Sequence, residues 1–117
     1  MEKVKPASIV DPEQYVNAAR NGAEKLTADP TTKAQGVFAD QFENDVNWRI
    51  HFQTTGPEIW NQMRHKLDYF ISGSGTGGTI SGIARYLKSQ DPNIKVVLAD
   101  PQGSGMYNRV KHGVMYD

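Results

Sequence analysis

Residues 71–80 contain four glycines within six positions, and they separate two segments of different periodicity. Residues 67–72, just before the glycines, are mostly apolar with aromatic and β-branched members, which predicts a short buried strand. After the glycines, apolar residues recur at helical spacing: Ile80, Ile83, Ala84 and Leu87. In a strand–glycine turn–helix unit, backbone N–H groups converge on one point, and the helix N-terminus adds partial positive charge. The pattern therefore predicts an anion site.

The side chains of this stretch narrow the choice of anion. Ser74, Thr76 and Thr79 can add hydroxyl donors to the backbone amides. No lysine lies inside the loop, which excludes the nucleoside-triphosphate loop with its G-K-[ST] ending. The residues favour a site for one phosphate or carboxylate. The alternative is a tight turn whose glycines only allow close helix–sheet packing.

The same glycines also satisfy the dinucleotide-binding pattern. Residues 73–78 read G-x-G-x-x-G, and Asp100 ends the next predicted strand at about the 20-residue distance of the ribose-binding acid. A dinucleotide loop normally follows the first strand, whereas two strand–helix steps are predicted to precede this one. Pro101 also follows the acid directly. On spacing alone, the monophosphate and dinucleotide interpretations both stay open.

The rest of the chain predicts alternating strands and helices. Asp11-Pro12-Glu13 has the composition of a helix start, and Asp29-Pro30 of its end. Thr55 and Glu58 have capping-box spacing for a second helix. Short strands are predicted at residues 4–9 and 37–39, and a strand covered on both faces at 94–99, with no confident element after Pro101. This order predicts an α/β fold with three layers and a mostly parallel sheet.

Composition limits the size and the partners of the chain. Its 117 residues make at most one domain, and 13 basic against 13 acidic residues leave no net charge, which argues against nucleic acid as the main partner. The absence of cysteine excludes disulfides and thiolate sites, and no His, Asp and Glu spacing suggests a metal. No apolar run is long enough to cross a membrane. The chain stops at Asp117 without a terminal feature, so we expect a fragment.

Three blocks of sequence resemble one known family. Residues 72–88, S-G-S-G-T-G-G-T-I-S-G-I-A-R-Y-L-K, resemble the phosphate loop and following helix of the cysteine synthase and cystathionine β-synthase family. Residues 40–44 and 51–60 are similar to the same family upstream, and residues 97–104 resemble its next strand and turn. The form T-T-G-P-E-I-W is closer to cysteine synthases. Asn47-Trp48-Arg49 departs from the N-P of the family loop.

The resemblance implies a cofactor and roles for particular residues. The family comprises fold-type II pyridoxal-phosphate enzymes, with a Rossmann-like, three-layer fold that this chain would hold only in part. Gln41 matches a glutamine beside the substrate carboxylate, whereas His51 reads as a structural hydrogen-bonder and Thr55 as a helix cap. His65 and His112 are expected on the surface. The residues implied to hold the cofactor phosphate are Gly75, Thr76, Gly77, Gly78 and Thr79.

The implied activity is β-replacement on an O-acetylserine-like amino acid to make cysteine. No counterpart of the family's Schiff-base lysine segment or T-S-G-N loop occurs in residues 1–117, so no catalytic residue is assigned and this chain alone is predicted to be inactive. Residues 1–54 would end the smaller lobe, and 55–117 would carry the phosphate-loop part of the larger one. Alternatives are a cystathionine β-synthase, a serine/threonine dehydratase, a dinucleotide-binding domain or a catalytically silent module. The resemblance implies a homodimeric parent, whereas the compartment stays open between the cytoplasm and the mitochondrion.

Overall fold

The computed structural model describes residues 3–8 and 10–114 of the chain. They form two compact units, Met1–Asp40 and Gln41–Asp117, each of which is considered by itself. The described residues of the first unit contain one helix, α1 (Tyr15–Ala28). The elements of the second unit are, in order, α2 (Val46–Ile50), a π-helical turn (His51–Thr55), α3 (Gly56–Gln62), β1 (Tyr69–Ser72), α4 (Gly78–Gln90), β2 (Lys95–Leu98) and α5 (Met106–His112).

Helix α1 begins three residues later than the sequence predicts, with Gln14 instead of Asp11 at the N-cap. The side chain of Gln14 caps it by accepting a 2.8 Å hydrogen bond from the amide of Val16, and both residues are buried. Asp11 instead stabilises the preceding turn, because its carboxylate accepts from the amide of Glu13. The predicted end is confirmed, since Asp29 is extended and follows the last helical residue.

The two early strands are wrong for the described residues. Residues 3–8 and 37–39 have no regular secondary structure, and Ile9 lies outside the described part of the chain. Val37 is 87% exposed, and Phe38 lies under the guanidinium of Arg20, 5.1 Å from the ring centroid. A three-residue apolar run forms a strand only where a neighbouring strand pairs with it, and this unit supplies none among the described residues.

A single helical run includes the segment where the sequence predicts a capping box at Thr55 and Glu58. The chain is helical from Val46 to Gln62, through the π-helical turn. Thr55 has helical dihedrals and makes no cap hydrogen bond, and its hydroxyl instead lies 2.9 Å from Nδ1 of His51. The prediction that Thr55 caps a new helix is therefore wrong, since the helix starts nine residues earlier than that cap.

The sheet confirms the predicted α/β class and parallel pairing. Strands β1 and β2 pair in parallel from Tyr69↔Lys95 to Ser72↔Leu98, with α4 between them in the chain. The buried core consists of Ile83 and Leu87 of α4 and Ile94 before β2. Partly buried side chains surround it: Ile59, Trp60, Leu67, Phe70 and Tyr86.

The second face of the sheet is not covered by the described residues. Tyr69 is 52% exposed, Ile71 62% and Val97 40%. The prediction that residues 94–99 are buried on both faces is therefore wrong for this chain. Within the described residues, the helices of this unit cover only the face that points to the core.

A turn and the short helix α5 follow β2 in the chain. The unpredicted helix α5 follows a turn in which the carboxylate of Asp100 accepts a 2.8 Å hydrogen bond from the amide of Tyr107. The carboxylate of Asp100 is thus engaged in a turn after β2. No helix in the described part of the chain is long and apolar enough to cross a membrane.

Candidate anion-binding site

The glycine loop, defined here as residues 73–79, connects β1 to the first turn of α4. Gly77 precedes the helix with φ +88° and ψ −10°, a left-handed conformation that favours glycine. Its carbonyl accepts a hydrogen bond from the amide of Ser81, so the intrahelical hydrogen bonds of α4 begin at its first turn. No side chain caps the helix start, although most helices use one there.

The backbone amides of Gly75 to Thr79 make no hydrogen bond to another group of the described chain. The first amides of a helix have no intrahelical acceptor, and here no side chain takes their place. A Cβ at Gly75 would meet nothing within 4 Å, so the loop is open on that side. These donors are available to an external acceptor.

The hydroxyl of Ser74 is a second, independent indication that the loop can bind an external group. Its hydroxyl oxygen is buried, yet it has no hydrogen-bond partner among the described residues. Buried hydroxyl groups in folded proteins are nearly always paired. A phosphate held by the glycine loop would supply that partner.

Asn47 contacts the loop from the start of α2. Its side-chain amide nitrogen donates to the hydroxyl oxygen of Thr76 at 2.8 Å and to the backbone carbonyl of Gln41 at 2.7 Å. The carboxamide occupies the space that a Cβ at Gly78 would need. The absence of a side chain at Gly78 therefore serves the approach of Asn47.

His51 contacts the other hydroxyl of the loop. Its Nε2 lies 3.3 Å from the hydroxyl of Thr79, and its Nδ1 lies 2.9 Å from the hydroxyl of Thr55. The sequence interpretation of His51 as a structural hydrogen-bonder agrees with this geometry. At Gly82, a Cβ would collide with the carbonyl of Trp48 and with Cβ of His51, so this glycine lets the two helices approach.

A cavity of about 140 Å³ lies beside the loop, lined by Asn47, Trp48, Gly77 and Gly78 among others. Arg85 also lines it, with its guanidinium 4.2 Å from the ring centroid of Trp48. Two of the three residues that depart from the family pattern, Asn47 and Trp48, thus line this cavity. Gln41 lies in the same unit, and its carbonyl is linked to Thr76 through Asn47.

Other candidates from the sequence lie in separate environments. His65 stacks on Trp60, with ring centroids 5.2 Å apart, and the rings of His112 and Tyr107 meet edge to face with centroids 6.3 Å apart. Three lysines of this unit are engaged by nearby groups: Lys88 donates to the carbonyl of Ile94, and Lys95 and Lys111 lie over tyrosine rings.

Sequence reasoning missed the role of Asn47. Its partner Thr76 is 29 residues away, and no local pattern links the two. One signal was available, because Asn47 and His51 are four residues apart and so share one face of a helix.

The glycine loop of this α/β protein combines a set of unengaged backbone amides, a left-handed glycine and two hydroxyls, a donor set of the kind that a phosphate-sized anion requires. Residues 4–115 match the family model described as pyridoxal-phosphate dependent enzyme, and the chain belongs to that family. The donor set fits the phosphate of that cofactor, because every group at the loop can donate to an anion. This family membership also removes the dinucleotide interpretation of the loop.

Several relatives are similar over the whole chain. It is 60% identical over 117 residues to cysteine synthase 2 of Schizosaccharomyces pombe, and covers 30% of that protein. It is 58% identical over 118 residues to a Saccharomyces cerevisiae protein whose name contains the words mitochondrial cysteine synthase, again covering 30%. In both alignments the whole of this chain is covered. The chain thus spans about 30% of the length of these relatives.

A solved structure confirms the fold. The chain resembles the crystal structure of a hydrogen sulfide-producing enzyme from Fusobacterium nucleatum, with a TM-score of 0.65 and 34% identity. The match covers 86% of this chain and 31% of that one. The α/β prediction is confirmed, and the described residues form an incomplete part of the larger fold.

Proposed function

We propose that this chain is the central part of a pyridoxal-phosphate-dependent enzyme that makes cysteine from an O-acetylserine-like amino acid by β-replacement. The observation that carries the proposal is the set of unengaged amides at Gly75–Thr79 beside the unpartnered hydroxyl of Ser74. Identity of 60% to a protein named cysteine synthase 2 supports the choice of reaction within the family.

In this proposal, the glycine loop holds the cofactor phosphate. The amides of Gly75, Thr76, Gly77, Gly78 and Thr79 donate to the phosphate oxygens, and the partial positive charge at the start of α4 adds to the attraction. The hydroxyls of Thr76 and Thr79 add two further donors. Bound there, the cofactor supplies an electron sink for reactions at the substrate's Cα and Cβ.

Gln41 is proposed to form part of the substrate wall. Its backbone carbonyl accepts from Asn47, so its position is tied to the loop. Its side-chain amide can donate to the carboxylate of the substrate amino acid. The covalent lysine is assigned to a part of the protein outside these 117 residues, because the family's lysine segment has no counterpart here.

The test compares two variants of the full-length protein. Gly77→Val places a β-branched residue at φ +88°, which costs at least about 1–2 kcal/mol and distorts the amide cluster. Asp100→Asn keeps an oxygen acceptor for the amide of Tyr107 and should leave the loop intact. We expect the valine variant to lose pyridoxal phosphate during dialysis and the asparagine variant to retain it.

Equal retention by both variants would reject the assignment of the loop. If Gly77→Val does not fold, Thr79→Val decides the question, because it removes one hydroxyl donor and leaves the backbone unchanged. A weaker affinity for pyridoxal phosphate is expected from Thr79→Val. An affinity equal to that of the unmodified protein would contradict the proposed donor set.

A second candidate reaction is the release of hydrogen sulfide. The observation that favours it is the 34% identity to the hydrogen sulfide-producing enzyme. The two reactions differ in direction with respect to sulfide. Purified protein should consume sulfide in the presence of O-acetylserine if it makes cysteine, whereas the second candidate should release sulfide from cysteine.

Further proposals concern the whole protein. Residues 1–54 would belong to its smaller lobe and 55–117 to the larger, which a crystal structure of the full-length protein would test. A homodimer is expected, which light scattering would test. The name of the Saccharomyces cerevisiae relative favours a mitochondrial over a cytoplasmic location, which cell fractionation would test.

A further inference from the structure

The segment Asn47–His51 packs against the glycine loop through two side chains, each on one threonine hydroxyl of the loop. We propose that Asn47 and His51 are positioning residues, which hold the hydroxyls of Thr76 and Thr79 so that their protons point to the phosphate. This inference rests on the proposed function of the loop.

The orientation of the Asn47 carboxamide follows from its partners. A backbone carbonyl can only accept, so the group of Asn47 that lies 2.7 Å from the carbonyl of Gln41 is the NH₂. The second N–H of that NH₂ is then directed at the hydroxyl oxygen of Thr76, 2.8 Å away. Thr76 accepts this bond, and its own proton stays available for an anion.

His51 donates a hydrogen bond to the hydroxyl of Thr79, as Asn47 does to that of Thr76. A neutral imidazole donates from one ring nitrogen and accepts at the other. When the hydroxyl of Thr55 donates to Nδ1 at 2.9 Å, the ring proton lies on Nε2 and points to Thr79, 3.3 Å away. The hydroxyl of Thr79 then accepts from His51 and donates its proton to the phosphate.

The backbone is built to admit both side chains. Asn47 fills the space where a Cβ at Gly78 would stand, and Cβ of His51 lies 2.7 Å from that of a side chain at Gly82. Both glycines are buried on α4. The four-residue spacing of Asn47 and His51 matches that of Gly78 and Gly82, so two helix faces meet in register.

The same contacts link the phosphate site to the proposed substrate wall. The NH₂ of Asn47 bridges the carbonyl of Gln41 and the hydroxyl of Thr76. Replacing this NH₂ with an oxygen acceptor of equal shape therefore reverses the direction of the hydrogen bond to Thr76. Asn47→Asp would draw the threonine proton toward the new carboxylate and bring a negative charge near the phosphate.

The experiment measures dissociation constants of the full-length apoprotein for pyridoxal phosphate and, as a probe without phosphate, pyridoxal. Asn47→Asp should weaken binding of pyridoxal phosphate about 10- to 100-fold, the range for a hydrogen bond to a charged group. Binding of pyridoxal should change less than about twofold, because the altered donors face only the phosphate. Gln53→Glu, an exposed amide-to-acid change in the same helical segment, is the matched control and should change neither value.

His51 is tested by loss and rescue. His51→Phe keeps the ring but removes both nitrogens, and should weaken binding of pyridoxal phosphate about 5- to 10-fold. His51→Gln can place an amide N–H near the position of Nε2 and should restore most of the affinity. The ³¹P chemical shift of the bound phosphate should move in the phenylalanine variant and return toward its original value in the glutamine variant.

A Thr76→Val background shows whether Asn47 acts through the hydroxyl. Asn47→Leu should weaken phosphate binding in the unmodified protein and have little further effect once the hydroxyl is gone, as expected for coupled residues. This comparison also decides the matter if Asn47→Asp does not fold. Additive effects of the two substitutions would overturn the inference.

The outcomes separate the inference from the function on which it rests. An unmodified protein that binds pyridoxal phosphate no more tightly than pyridoxal would reject the phosphate site and, with it, the inference. An unmodified protein that prefers the phosphate, with Asn47→Asp and His51→Phe showing unchanged affinity and ³¹P shift, would reject the inference alone.

Discussion

Gly82 offers the sharpest test of the packing that supports the site. A Cβ at this position would collide with the carbonyl oxygen of Trp48 and would lie 2.7 Å from Cβ of His51 and 2.9 Å from the amide nitrogen of Phe52. Two of these three atoms belong to the backbone of the facing helix, which cannot move aside by a rotamer change. Gly82→Ala should therefore force the two helices apart.

The expected change in the free energy of unfolding is the difference between two opposing contributions. Overpacking of a tight interior costs about 1–3 kcal/mol, and the backbone contacts place Gly82 at or above the upper end of that range. Alanine is better than glycine in a helix interior by about 1 kcal/mol, which offsets part of the cost. We expect a net loss of about 2 kcal/mol in the free energy of unfolding.

Gly22→Ala is the matched control. Gly22 lies inside α1, its φ is not positive, and a Cβ there would meet nothing within 4 Å. The same substitution should stabilise the protein by about 0.5–1 kcal/mol, because only the helix-propensity term remains. Urea unfolding of the full-length protein, followed by far-ultraviolet circular dichroism, measures both values.

A Gly82→Ala variant as stable as the unmodified protein would refute the reasoning. It would mean that the spacing of the two helices adjusts at little cost. A destabilised variant should also bind pyridoxal phosphate more weakly, because displacement of His51 would break its contact with Thr79.

Three further predictions concern the chain and its surface. The isolated 117-residue chain should self-associate in sedimentation velocity, because one face of the sheet exposes the apolar side chains of Tyr69, Ile71 and Val97. Ile71→Lys should reduce the association, and a monodisperse unmodified chain would contradict the prediction. When this chain is mixed with pyridoxal phosphate, reduced with borohydride and mapped by peptides, we expect no single lysine to be labelled stoichiometrically, since Lys88, Lys95 and Lys111 contact other groups. One fully labelled lysine would overturn the assignment of the covalent lysine to another segment. The hydroxyl and then the amide of Thr31 hold the pKa of the exposed Asp29 below its ordinary value, so Thr31→Val should raise that pKa in an NMR titration, and an unchanged value would show that the hydroxyl contributes nothing.

Local patterns predicted the elements on both sides of the glycine loop. The strand before the loop and the helix after it follow from short-range periodicity, and both occur, as β1 and α4. The parallel pairing of β1 and β2 followed from the alternation of strands and helices. The strand and the helix depend on residues close together in the chain, whereas the parallel pairing follows from the order of the elements, since a helix between two strands of one sheet favours parallel strands.

Predictions failed where a segment depends on distant neighbours. Residues 37–39 are apolar enough for a strand but have no strand to pair with among the described residues. Thr55 has the spacing of a cap, but the helix that begins at Val46 had already engaged the backbone around it. In both places the local signal was present and the tertiary context decided against it.

The sequence by itself predicted a glycine turn between a strand and a helix, with backbone amides and hydroxyls grouped for a phosphate-sized anion, because glycines, hydroxyls and a helix start are adjacent in residues 73–79. Only the tertiary structure decided which side chains support that loop. Asn47 and His51 reach Thr76 and Thr79 across separations of 29 and 28 residues, and they do so because Gly78 and Gly82 leave room for them. Contacts of this kind arise when two helices pack closely, and no pattern within either helix specifies its partner.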